Sequence, residues 1–204
     1  MGNATRVSAQ VAQAAKHDSI AKAKRIAPDV AANIGATPPT KYRGNPEIFG
    51  RLVEDHDRHR ALFAMIEATE GKSPDRVRLF TELTLEIKSH AAAEEQALWS
   101  TVLRDPKTTE VARHAISEHK TMDKMLADLA ARDMASSSWL KRFGALKEEF
   151  LDHVKEEEQE QFAAAEEQLS PKDLRYMRSV FNRRKKEEKA AAKIEKKIRL
   201  KAIN

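Results

Sequence analysis

No cysteine occurs anywhere in the 204 residues, which excludes disulfides, thiolate metal sites and cysteine-based catalysis together. Aromatic residues make up only 5% of the chain, and proline and glycine number 7 and 6. A chain so poor in turn formers and ring side chains, yet rich in Ala, Glu, Lys, Leu and Arg, is expected to be almost entirely helical. No run approaches the ~20 consecutive apolar residues that a bilayer crossing needs. The amino-terminal residues lack the apolar core of a secretory signal. Arg6 stands where a myristoylation motif wants Ser or Thr. Asp18 and Asp29 speak against an organelle transit peptide, so the expectation is a cytoplasmic protein.

The net charge of +5 conceals an uneven distribution. Residues 1–46 carry 7 basic and 2 acidic side chains, residues 47–170 carry 17 and 26, and residues 171–204 carry 13 and 4. An acidic body is therefore flanked by two basic arms. Breakers divide the chain in the same places. Residues 1–45 read as an Ala-rich basic arm ending in a Pro/Gly linker that starts at Gly35, residues 46–169 as a helical domain, and residues 170–204 as a basic helical tail.

Within the domain the punctuation marks four helices. Asn45-Pro46 and Gly71 bound the first, near 46–70. Ser73-Pro74-Asp75 starts the second, which ends before Asp105-Pro106. The third runs from about Thr108 to Arg132, and the fourth from about Ser138 to Gln168. Short connections between helices of ~25–30 residues predict an up-down-up-down antiparallel four-helix bundle, all-α, with basic extensions at both ends. A fifth helix starts at Ser170-Pro171.

What the chain does contain is a repeat. His90 and Glu94, one turn apart in IKSHAAAEEQALW, are echoed 63 residues later by His153 and Glu157 in FLDHVKEEEQEQF. His56 and His119 precede the two copies with the same offset, and Glu95/Glu158 and Trp99/Phe162 share it. Each His and Glu interrupts an apolar stripe that steps by three or four residues: Phe49, Leu52, His56, His59, Phe63 on the first helix and Phe80, Leu83, Ile87, His90, Glu94 on the second. The third reads Ala115, His119, Met122, Leu126, and the fourth Phe143, Leu146, Phe150, His153, Glu157. Carboxylates facing a core without partners cost several kcal/mol each. A pair of metal ions removes that conflict, and imidazole with carboxylate suits iron, manganese or zinc.

These residues, from about Pro46 to Leu169, resemble the hemerythrin-like (HHE cation-binding) family: His56, His90-x3-Glu94, His119 and His153-x3-Glu157. The resemblance implies a non-haem di-iron centre of two iron ions (Fe2+/Fe3+) with an oxo or hydroxo bridge. The two Glu are then bridging candidates, and a small ligand such as O2, NO or peroxide is bound. The sequence departs from oxygen-carrying members, which add a second His one turn away on the third helix and end in Asp. Here Ala115 and Asp123 flank His119, and the last carboxylate is Glu157. That departure points to oxygen or redox sensing or iron handling rather than reversible oxygen carriage. A di-iron peroxidase or catalase-like enzyme is the competing reading, although no separate general acid singles it out.

Four further residues are weaker candidates. His59 shares the stripe of His56, and Asp123 lies one turn after His119; Glu86 and Glu149 lie one turn before the ligand His residues and could orient an imidazole. His114 reads as solvated and His17 as incidental. The tail at 171–204 is either a solvated helical extension or a surface for an anionic partner (nucleic acid, lipid or acidic protein), which includes the acidic body itself.

Overall fold

The computed structural model describes residues 39–71 and 73–203, with side chains through residue 195. The Ala-rich arm, His17 and the first part of the linker lie outside the described residues. Among these, five helices of seven residues or more account for the fold, and there is no strand. They are α1 (Ile48–Glu67), α2 (Pro74–Glu94), α3 (Thr109–Ala130), α4 (Ser137–Glu156) and α5 (Pro171–Ile203).

Two of the expected start signals, Ser73 and Ser170, operate as hydrogen bonds. Ser136 rather than Ser138 takes that part ahead of α4, whereas Glu47 and not Asn45 directly precedes α1 and makes no side-chain cap bond. Ser73 Oγ accepts the Arg76 N–H at 3.1 Å, and Ser136 Oγ accepts that of Trp139 at 3.2 Å. At α5, Ser170 Oγ accepts the Asp173 N–H at 3.2 Å while the Asp173 carboxylate accepts the Ser170 N–H at 3.1 Å, a reciprocal pair. Gly71, with φ +51°, turns the chain out of α1 in a conformation that side chains rarely adopt.

Two features differ from the sequence expectation. First, α2 and α4 do not continue as plain α-helices. Each passes into a π-helical turn, Glu95–Trp99 and Glu157–Gln161, before resuming as Ser100–Val102 and Phe162–Glu166. Such turns insert one residue and rotate the next stretch of helix, and they recur at functional sites. Second, the stretch before α1 is not a free linker where it is described. Tyr42 is buried against Phe49 and Phe162, its hydroxyl donates to Glu166 at 3.0 Å, and Arg43 pairs with Asp57 at 2.9 Å. Gly50 permits this return of the chain, because a Cβ there would lie 1.9 Å from the carbonyl oxygen of Asn45.

α1 packs with α2 and α3 with α4, while α5 lies along α2 and α1. The apolar interior falls into two clusters. One gathers Phe63, Phe80, Leu126, Trp139, Phe143 and Phe150; the other gathers Tyr42, Phe49, Leu98, Trp99, Phe162 and Phe181. The repeated His and Glu residues belong to neither cluster, and together they make a buried polar layer. No helix of the described residues is long and apolar enough to cross a membrane.

Candidate metal centre

Helical spacing brings one imidazole from each of four helices into that layer: His56 from α1, His90 from α2, His119 from α3 and His153 from α4. Glu94 closes α2, and Glu157 opens the π turn after α4. All six are buried, and both carboxylates are fully enclosed.

Each ring has an outward and an inward nitrogen. Outward, Nδ1 meets a carboxylate in every case: His56 with Glu158 at 2.9 Å, His90 with Asp55 at 3.2 Å, His119 with Glu95 at 3.0 Å and His153 with Glu118 at 2.9 Å. An ionised carboxylate only accepts, so Nδ1 carries a proton, and each ring in its neutral form presents its lone pair at Nε2. Inward, the Nε2 atoms face the two central carboxylates. His90 and His119 approach Glu94 Oε2 at 3.3 and 3.5 Å, and His56 and His153 approach Glu157 at 3.3 and 3.5 Å.

These inward approaches are not hydrogen bonds. Nε2 of His56, His90 and His119 and all four oxygens of Glu94 and Glu157 are buried without a hydrogen-bond partner. An interior rarely leaves so many polar atoms unsatisfied in one place. Lone pairs and carboxylate oxygens converging without donors are the ligand set of a cation, and outward carboxylates that fix the imidazole tautomer are the usual support of such a set. Ligand atoms from His119, His153 and Glu157 all lie within 4.8 Å of one another, close enough to share an ion. The donor set therefore fits bound metal.

The electrostatics agree. Burial pushes Glu94 up, but the facing imidazoles of His90, His119 and His56 outweigh this and hold it down to about 2. Glu157 moves the other way, well above the ordinary value, through burial and then the charge of Glu94. Burial drives His153 and His59 well below the usual imidazole range.

The layer has an approximate two-fold order that follows the repeat in the sequence. Asp55/Glu118, His56/His119, His90/His153, Glu94/Glu157 and Glu95/Glu158 are each 63 apart, and each imidazole–carboxylate contact in one half has its counterpart in the other. Of the four outward carboxylates, the sequence reading places Glu95 and Glu158 only in the register of the repeat and does not assign any of the four as an imidazole support. The signal was present, since Asp55 and Glu118 directly precede His56 and His119, and Glu95 and Glu158 directly follow Glu94 and Glu157.

The weaker candidates are placed differently. His59 is fully buried beside His90, its ring centroid 5.3 Å away, and neither ring nitrogen has a hydrogen-bond partner. Asp123 is exposed and pairs with Lys88 at 2.7 Å. Glu86 is buried among Arg58, Lys185 and Lys189, so it is Asp55 that supports His90. Glu149 is half-buried, and Glu118 takes the Nδ1 of His153. His114 is exposed, as expected, and lies 3.1 Å from Glu156. A groove of about 350 Å³ lined by Ile87, Ala91, Glu95, His119, Asp123 and Lys124 reaches the layer at His119.

No curated protein and no solved structure gives a match. The model of the hemerythrin HHE cation-binding domain matches residues 48–165, the span that supplies all four imidazoles, both central carboxylates and their four supports, and the chain belongs to that family.

Proposed function

We propose that the chain holds a non-haem di-iron centre that binds a small ligand, O2, NO or peroxide, and that it serves oxygen or redox sensing or iron handling in the cytoplasm. The observation that supports this most directly is the convergence of unpartnered Nε2 and carboxylate oxygens in one buried layer, with each Nδ1 anchored from behind. His56 and His90 are read as serving one ion and His119 and His153 the other, with Glu94 and Glu157 between them. The centroids of each imidazole pair, 5.1 and 5.0 Å apart, agree with that division. The four ligand-bearing helices are read as an up-down-up-down antiparallel bundle, the arrangement that points one face of each toward a common layer.

When bound, iron supplies the redox and ligand-binding chemistry. The chain holds the imidazoles in one tautomer, excludes water with apolar clusters on both sides, and leaves the groove beside His119 as an approach. Asp123 on the surface and Ala115 beside His119 leave α3 without the second imidazole of oxygen carriers, which favours sensing or iron handling over carriage.

Elemental analysis after anaerobic loading tests the reading, with a visible spectrum taken before and after exposure to oxygen. About two irons per chain are expected, with an oxygen-dependent band lost in His90→Ala and in Glu94→Ala while helix content is kept. A folded chain that takes up no metal overturns it. Repeated turnover of hydrogen peroxide by the loaded chain would instead identify a peroxidase or catalase-like enzyme.

A further inference from the structure

The family match ends at residue 165, but the buried layer is completed from beyond it. Most basic side chains of α5 among the described residues are exposed or half-buried, and Lys185 is the exception, with 5% of its side chain accessible. Its Nζ donates to Asp55 Oδ2 and lies 2.9 Å from Glu86 Oε2. Asp55 Oδ2 in turn accepts from Nδ1 of His90 at 3.2 Å, and Arg51 holds the other oxygen at 2.7 Å. Phe181, one turn before Lys185, is fully buried and meets the His90 ring edge-on at 5.5 Å. A line of direct contacts therefore runs from α5 through Asp55 to a ligand-bearing imidazole.

The other half of the two-fold layer has nothing comparable. Glu118, the counterpart of Asp55, supports His153 at 2.9 Å, but its further neighbour is the exposed His114 at 3.4 Å. One half is clasped by a buried ammonium and the other is open toward solvent. Taking a lysine out of water is costly, and only strong pairing offsets it. Charges on both sides of Asp55 restrain its carboxylate, and a restrained carboxylate restrains the ring it supports.

We propose that Lys185 is a positioning residue of the metal centre, acting through Asp55 to fix His90, so that the ion served by His56 and His90 is held more tightly than the ion served by His119 and His153. This rests on the metal-binding reading above.

The test is anaerobic uptake of Fe(II) by the full chain in competition with a chromogenic chelator, with folding checked by circular dichroism. Lys185→Met is expected to weaken one of the two ions about tenfold and leave the other unchanged. Lys189→Met removes a contact to the same buried Glu86 without touching Asp55, and its affinities should stay within about twofold of wild type. In an Asp55→Asn background, Lys185→Met should add nothing, because the path is already cut. Equal weakening by the two lysine variants, or an additive effect in the Asp55→Asn background, would mean that α5 only docks, and the proposal fails. Unchanged affinity of Lys185→Met beside a wild type that loads two irons overturns the proposal and leaves the metal reading intact. A wild type that loads none overturns both. If Lys185→Met does not fold, Lys185→Arg enters the same cycle, with partial weakening expected and its absence counting against the proposal.

Discussion

Glu94 and Glu157 are the same side chain in matching places, and their surroundings drive them in opposite directions. Glu94 is held ionised by His90, whereas burial and the negative charge of Glu94 favour a proton on Glu157. An incoming cation must displace that proton, so uptake should release protons and the apparent affinity should fall as pH falls. Calorimetric titration in buffers of different ionisation enthalpy reads this directly; identical heats in every buffer would count against it. Away from the layer, Tyr42 offers a second titration. Burial, then the hydrogen bond to Glu166, raises it from 10.0 to about 12. The folded phenol keeps its proton while the unfolded one loses it. The stability this contributes is therefore complete below pH 10 and is lost as pH climbs through about 12. Unfolding midpoints across that window should decline more steeply in the wild type than in Tyr42→Phe, and phenolate absorbance should show a late component that the variant lacks.

At the level of helices, much was legible and the misses have physical causes. Ser73 and Ser170 announced two helix starts because a hydroxyl before a helical run has an N–H to accept, and α4 begins just ahead of the expected Ser138 because Ser136 takes that part. The stripes placed His56, His90, His119 and His153 inward because their spacing follows the helical period. The π turns left no such trace, since an inserted residue changes hydrogen bonding without changing composition. Residues 39–46 read as a linker from their breakers, yet Tyr42 anchors them through packing that local sequence does not encode. Gly50→Ala should dislodge this segment at a cost on the order of 1–3 kcal/mol, seen in urea unfolding together with a Tyr42 that titrates nearer its ordinary value. Glu86→Ala removes the shared partner of Arg58, Lys185 and Lys189 and should cost roughly 3–5 kcal/mol in the metal-free chain. A loss below about 1 kcal/mol would show the three cations to be satisfied elsewhere.

For the molecule as a whole, the charge asymmetry of the sequence becomes an internal contact. The basic tail lies on the acidic body, with Leu174, Met177, Val180 and Phe181 buried and Lys185 at the centre of the seam. Those four apolar residues step at helical spacing, but the surrounding lysines and arginines obscured the stripe. Ending the chain after Ser170 should therefore not yield an intact domain. It should leave one that binds hydrophobic dyes and unfolds with reduced cooperativity. Metal should act on the entire fold as well. At about a thousandfold excess over its Kd, a ligand bound only by the folded state adds ~4 kcal/mol. For a chain of this size that is a rise in melting temperature of about 8–16 °C, reversed by a chelator. The two tryptophans, Trp99 and Trp139, lie in different apolar clusters on opposite sides of the polar layer. Trp139 donates its indole N–H to the Leu129 carbonyl at 3.0 Å, while that of Trp99 has no hydrogen-bond partner. Each half thus carries its own fluorophore in a distinct environment, and the one at residue 99 shares a π turn with Glu95, the carboxylate that supports His119.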